Sequence, residues 1–468
     1  MKIFIWAAII AATALTSAGA AGPPNIVLIV ADDLGIGHLG CYGQRKIATP
    51  DIDRLATEGM KFNQFYSGAA VCAPSRSVLM TGLHTGHTPV RNNGKLRHLA
   101  DGDVTVAEIL KRAGYATGGF GKWGLGGPET PGVAVRQGFD TWFGQYSQVH
   151  AHFHYPAFLM RDLGRFPLPE NEGHRRARYA PDVVHEQALG FIRANRDRPF
   201  FAYLASTLPH VELTAPATSR RPYEGRWPKL ARDDPRPGYL GTDDAYAEFA
   251  GMVSHLDRQV GEVLALLNEL DLDRRTIVLF TSDNGPQPGA WSDIFVDFFD
   301  GNGPYRGAKG SFHEGGIRVP LLARWPGVVA PGSSSDHVGT FQDVMATLAE
   351  LAGATPHLPD HDGISIAPTL RGEPGRQGRH GALYWEAAGT HQDIIQQAVR
   401  QGQWKALRTR PGVGWELYDL AADPGEVRDL AGDHPDILRK VEAIAHDSHR
   451  PERTFGPAPR EGAADFVK

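Results

Sequence analysis

Two stretches of this sequence, "VADDLG" ending at Gly35 and "TSDNG" ending at Gly285, place Asp32, Asp33, Asp283 and Asn284 directly behind runs of apolar residues. Adjacent aspartates repel, so two at one point make physical sense when a cation neutralises them. With neither cysteine nor histidine among them, these oxygen donors suit a hard cation, Ca²⁺ or Mg²⁺, better than zinc. Either pair alone serves a helix N-cap or an Asx turn equally well. Their matching positions favour a metal.

Cys72 lies in "VCAPSRSVLMTG" (71–82) and is one of only two cysteines. Pro74 is tolerated in a first helical turn, and Val78, Leu79 and Met80 continue as an apolar stripe, which predicts Cys72 at a helix N-terminus. Arg76 would then lie one turn on, on the same face. Helix field and guanidinium both favour negative charge beside the sulfur, so the spacing predicts an anion-binding site with an activated Cys72. The alternative is a buried cysteine with a surface arginine. Cys41, in the glycine-rich "HLGCYGQ", reads as a half-buried thiol that does not pair with Cys72.

The elements that must position these groups follow from hydrophobic pattern. "NIVLIV" (25–30) and "TIVLFT" (276–281) are continuous apolar runs, as expected of strands buried on both faces. Between them, "VTVAEILKRAGYATGGFGKWG" and "AYAEFAGMVSHLDRQVGEVLALLNELDL" show helical spacing followed by strand or loop. The fold class is therefore α/β: a large mixed, mostly parallel central sheet flanked by helices. In such sheets the ligand crevice lies beyond the carboxyl ends of the strands, where both acidic tips point. Residues from about 155 to 180 and from 212 to 240 read as long loops. Beyond "DGISIAPTLRGEPGRQGR" come the short strand-like pieces "GALYWEA", "QWKALRTR" and "WELYDL", then a helix near "PDILRKVEAIAHD". The expected division is a signal peptide over 1–20, a catalytic domain over 24–370 and a smaller C-terminal α+β subdomain over 371–468.

At 468 residues, 41% hydrophobic and 22% charged, the chain has the composition of a globular enzyme. A net charge of -5 argues against nucleic acid as a partner. Lys2, an apolar run and Ala18-Gly19-Ala20 form the pattern of an export signal. The run is shorter than the roughly 20 apolar residues a bilayer span needs, so a periplasmic or secreted protein without a stable membrane anchor is expected.

"AVCAPSRSVLMTG" resembles the first signature of the type I, formylglycine-dependent sulfatases of the alkaline phosphatase superfamily, and "GYATGGFGKWG" resembles their second. "ADDLG", "TPDIDRLATEG", "FTSDNG", "RGAKGSFHEGGIRVP" and "ELYDLAADPGE" follow in family order, from about residue 25 to 430. The resemblance implies an alkaline-phosphatase-like fold. It also implies that a formylglycine-generating enzyme oxidises Cys72 to an aldehyde. One oxygen of the hydrated aldehyde attacks sulfur and the alcohol departs; the other drives collapse to aldehyde and sulfate, so that one hard hydrolysis becomes two easier steps. It further implies that Asp32, Asp33, Asp283 and Asn284 bind the metal, usually Ca²⁺, with Mg²⁺ an alternative. Arg76 and Lys122 would hold residue 72 and the sulfate, Lys309 would contact sulfate and could assist the leaving group, and His210, in "STLPHVE", would be a candidate general acid at the leaving oxygen.

One departure stands out. Many members carry histidine two places after the lysine of the second signature, where this sequence has Gly124. Of the nearby His150, His152 and His154, His152 is expected to take that role. His38, His84, His87 and His255 read as capping and packing residues, with His87 and Arg91 near enough in sequence to support Cys72. Glu314 reads as a structural carboxylate. Phe153, Tyr155 and Phe158 beside arginine-bearing loops suggest a sugar stacked on aromatic rings, hence a sulfated small molecule or oligosaccharide as substrate. Two rivals remain at this point: a phosphonate monoesterase or phosphodiesterase of the same superfamily, and an inactive sulfoglycan-binding protein, the latter motivated by Gly124.

Overall fold

The computed structural model describes residues 22–94, 97–173, 175–233, 239–389, 394–453 and 455. The expected signal peptide lies outside the described residues.

Ten strands form the main sheet, in the spatial order Ser333–Ser335, Met60–Phe62, Leu321–Arg324, Thr276–Ser282, Asn25–Ala31, Phe200–Ala205, Ala116–Lys122, Thr141–Gln145, Phe158–Arg161, Gly164–Pro167. The five from Thr276–Ser282 to Thr141–Gln145 are mutually parallel, and antiparallel strands flank them. Both faces are buried, as the apolar runs require. Along Asn25–Ala31, Ile26, Leu28 and Val30 pack into one hydrophobic cluster while Val27, Ile29 and Ala31 pack into another. The first cluster takes in the Cys72–Thr81 and Gln342–Leu351 helices, the second the Ala180–Ala194 and Ala245–Glu269 helices.

Local signals set helix ends. Thr105 and Glu108 form a reciprocal capping box ahead of Val106–Arg112, and Asp244 accepts a hydrogen bond from the Ala247 N–H to open Ala245–Glu269.

Two expectations need correction. Residues 155–180 are not simply a loop, because Phe158–Arg161 and Gly164–Pro167 pair as a hairpin at the sheet edge. Edge position explains the misleading composition, since Pro167 closes a strand with no further neighbour to serve. In the same way, 212–240 contains the short helical turns Ala217–Arg220 and Arg221–Tyr223.

The C-terminal region is a four-stranded antiparallel sheet, Leu383–Ala388, Ile394–Gln401, Trp404–Arg408 and Glu416–Asp419. One face packs on the Pro435–Ser448 helix through Val441 and Ala445. The other carries Leu383, Trp385, Ala398 and Leu407 against Tyr66, Phe312 and Ile317 of the main body.

Candidate active site

The carboxyl ends of the five parallel strands converge on one crevice. Asn25–Ala31 delivers Asp32 and Asp33, and Thr276–Ser282 delivers Asp283 and Asn284. The Ala31–Ser282 register and an Asp283 N–H donated to Ala31 O at 3.0 Å hold these tips level. Ala116–Lys122 ends in Lys122 itself, Phe200–Ala205 leads to His210, and Thr141–Gln145 leads to Gln148 and His152. Gly121, at φ 110°, lets the Lys122 strand pass its neighbour, since a Cβ there would lie 1.9 Å from Ala205 O.

Cys72 is the first residue of the Cys72–Thr81 helix, as the proline predicted, and the helix stops at Gly82 with φ 68°. Its Sγ lies 3.4 Å from Asp32 Oδ1 and 3.9 Å from Asp33 Oδ1. The expected activation of the thiol is not found. Burial first, then the Asp32 charge, push the Cys72 thiol well above its ordinary range. Arg76 does not neutralise it, because its Nε and Nη2 both donate to Asp283 Oδ2, at 3.0 and 2.8 Å, and its Nη1 donates to Lys122 O at 2.8 Å. Nor is the arginine on the surface: it is wholly buried. Cys41 and Cys72 are both free thiols.

Lys122 Nζ donates to Asp32 Oδ2 at 2.7 Å, and Lys309 Nζ donates to Asp33 Oδ2 at 2.8 Å. Burial opposes charge on Asp32, but Lys122 above all holds its carboxyl well below the usual range. Asp283 goes the other way, raised to about 6 by burial and by the neighbouring Asp32 charge. Burial likewise raises Asp33 despite Lys309. Asn284 donates to Asp33 Oδ1 at 2.7 Å, while its own Oδ1 is buried without a hydrogen-bond partner among the described residues. Three carboxylates converging beside an orphaned amide oxygen form an all-oxygen donor set of the kind a hard cation takes, so it fits the expected metal. Asp32, Asp33, Cys72 and His210 each offer an atom within 4.8 Å of the others, which adds a histidine to the neighbourhood that sequence spacing did not include.

His210 Nδ1 donates to Val211 O, so its Nε2 presents a lone pair to Lys309 Nζ at 3.3 Å. The same Nε2 lies 3.3 Å from Asp33 Oδ2, so His210 stands between the Lys309 ammonium and a carboxylate. His152 stacks on His210, ring centroids 4.4 Å apart and 18° from parallel, with its Nδ1 hydrogen-bonded to the Tyr239 hydroxyl. Of the three candidate histidines it is the one brought to the site; His150 binds Phe158 O and His154 faces Thr214.

Gln148 was missed. Gly124 has φ 77°, and a Cβ on it would lie 2.2 Å from Gln148 Nε2, so the Gln148 amide occupies the space that a side chain at 124 would need. Only the glycine itself signalled that something else had to occupy the space.

Other residues are engaged away from Cys72. His38 binds Phe295 O, His255 pairs with Asp182, and His84 and His87 face Asp362, the three offering ligand atoms within 4.8 Å of one another. Arg91 turns to Glu386 instead of supporting Cys72. Glu314 is the structural carboxylate expected, paired with Lys405 and Arg318. Phe153 and Phe158 are buried in the core, 1% and 7% exposed, so of the three aromatic residues expected to stack on a sugar only Tyr155 keeps partial exposure.

The sulfatase family profile matches residues 24–354, and that of the C-terminal region of N-sulphoglucosamine sulphohydrolase matches 308–446. Arylsulfatase A from Homo sapiens is 32% identical, with 94% of this chain and 90% of that protein covered. N-acetylgalactosamine-6-O-sulfatase from Bacteroides thetaiotaomicron is 30% identical over 90% of this chain and 92% of its own length. Among solved structures, Ps i-CgsB in complex with k-i-k-neocarrahexaose superposes with a TM-score of 0.77 at 26% identity, covering 92% of this chain and 95% of that one. A phosphonate monoester hydrolase of Agrobacterium radiobacter shares the fold, at TM-score 0.66 and 20% identity over 91% of this chain and 95% of its own. The chain is thus a type I sulfatase of the alkaline phosphatase superfamily, a sulfuric ester hydrolase.

Proposed function

We propose that this sulfatase acts on sulfated carbohydrate, with residue 72 converted to formylglycine by a formylglycine-generating enzyme and with Ca²⁺ held by Asp32, Asp33, Asp283 and Asn284. The observation that carries this reading is Cys72 itself. A thiol pushed up by burial and set 3.4 Å from Asp32 is a poor nucleophile, yet it lies against the two aspartates that fix Lys122 and Lys309. A hydrated aldehyde at that position would supply the attacking oxygen. The metal, when bound, would supply Lewis-acid polarisation of a sulfate oxygen.

The chain's own residues supply the rest. Lys122 and Lys309 are buried ammonium groups fixed by Asp32 and Asp33, and they offer positive charge where a sulfate would gain negative charge. Arg76 clamps Asp283 and the backbone at Lys122, holding two strand tips in register. Lys309, hydrogen-bonded to His210, holds the proton for the leaving oxygen, and His152 braces the His210 ring.

Carbohydrate as the substrate class is supported by the relative named for N-acetylgalactosamine 6-O-sulfate and by the neighbour solved with a neocarrahexaose. Export to the periplasm or medium is supported by the N-terminal pattern, and no described helix is long and apolar enough to cross a membrane. We place the division between catalytic and C-terminal parts at 370/371, ahead of the antiparallel sheet. The calcium-loaded protein should release sulfate from an aryl sulfate faster than phosphate from the matched aryl phosphodiester, and should desulfate members of a panel of sulfated oligosaccharides. Faster phosphodiester cleavage would reject the reading.

A further inference from the structure

Past Lys122 the parallel pairing continues: Trp123 N–H donates to Gln145 O at 2.9 Å and Gly124 N–H donates to Tyr146 O at 3.0 Å. The two chains therefore leave the sheet together on the side of the crevice, Gly124 two residues after Lys122 and Gln148 four before His152. Gly124 has a left-handed backbone that disfavours any side chain, and Gln148 Nε2 lies 2.2 Å from where its Cβ would be. That amide nitrogen is buried, and it has no hydrogen-bond partner among the described residues. A buried donor left unpaired is costly, and natural structures contain few of them. Its neighbour Gly124 lies two residues beyond Lys122, whose strand end enters the crevice that gathers Arg76, Lys122 and Lys309, so the acceptor most in keeping with this placement is an anionic oxygen.

We propose that Gln148 is a substrate-binding residue of this site, its side-chain amide donating a hydrogen bond to an oxygen of the bound sulfate group. The inference rests on the sulfatase reading above. An amide neither titrates nor transfers protons, so Gln148 contributes binding and orientation without adding a limb to the pH profile.

Gln148→Met keeps the side chain's length and removes the donor; Gln148→Ala also empties the space. Inorganic sulfate is titrated calorimetrically into the full-length, calcium-loaded protein and both variants, with thermal melts and aryl sulfate kinetics in parallel. A hydrogen bond to a charged group predicts a sulfate Kd weakened about tenfold or more in both variants. In Gln148→Met the melting temperature should not fall, since the lost donor has no internal partner, and the pH dependence of kcat/KM should keep its shape. Equal sulfate affinity in Gln148→Met and the unsubstituted protein overturns the proposal, as does undetectable sulfate binding in the unsubstituted protein. Sulfate binding that depends on Gln148 in a protein releasing no sulfate from any ester would instead sustain the proposal and reject the hydrolytic reading.

Discussion

Replacing Lys405 by methionine tests how the C-terminal sheet secures the segment that carries Lys309. Lys405 is wholly buried, and its Nζ lies 2.8 Å from Glu314 Oε1 and 2.9 Å from Glu426 Oε1. Glu314 would keep Arg318 Nη1 at 3.0 Å and the Tyr66 hydroxyl at 2.7 Å, so its charge survives the change. Glu426 would keep only the Glu314 N–H, at 2.6 Å. The uncompensated group is therefore Glu426, whose carboxyl burial already raises. Removing one partner of a buried ion pair costs about 3–5 kcal/mol. Because Glu426 can take up a proton at a cost of about 1.4 kcal/mol per pKa unit, the lower end, about 3 kcal/mol, is expected. Glu426→Gln in the Lys405→Met background removes the stranded charge and should recover roughly half of that loss, and the coupling is that recovery plus whatever Glu426→Gln costs alone. Urea titrations followed by tryptophan fluorescence, with Trp385 and Trp404 in the affected sheet, give the four free energies of the cycle. A loss below about 1 kcal/mol in Lys405→Met, or a double variant no more stable than the single, would refute this account of the buried network.

Three further outcomes are expected. Lys309→Ala, which removes the cation beside His210 and Asp33, should lower kcat for an aryl sulfate by about 100- to 1,000-fold, more than any accompanying fall in melting temperature accounts for when turnover is read well below the melt. Chelation should abolish turnover, and calcium at about 100 times its Kd should restore it and add about 2.7 kcal/mol of stability. His38 and His150 are each held down to about 4 by burial, against an ordinary 6.5. Their folded forms bind protons more weakly than their unfolded forms, so the stability they contribute is complete above pH 6.5 and is lost as pH falls through 4. One such histidine accounts for about 3 kcal/mol, and denaturant titrations across that window should show the decline.

Much of this was legible in sequence because local chemistry dictated it. Unbroken apolar runs could only be doubly buried strands, and acids at their ends could only point into the crevice. Pro74 fixed the start of the Cys72 helix. What sequence hid was tertiary. Nothing local says that Arg76 is claimed by Asp283, from a strand 207 positions away, or that Asp32 suppresses the Cys72 thiol instead of the helix activating it. Phe153 and Phe158 read as a platform because aromatic residues beside arginines look alike in a loop and in a core; only the edge hairpin decides which they are. The strand Ile394–Gln401 escaped notice because half of "IIQQAVRQ" is polar and the pattern does not alternate, its burial coming from neighbours on both sides.

The central claim is that residue 72 works as an oxidised side chain, and peptide mass analysis of the 71–82 segment, read beside turnover on the same preparations, tests it most directly. A fraction lighter than the cysteine form by about 18 Da should be present, sulfate release should scale with that fraction, and Cys72→Ala should release none. Full sulfate release from protein in which Cys72 remains wholly unmodified would contradict it.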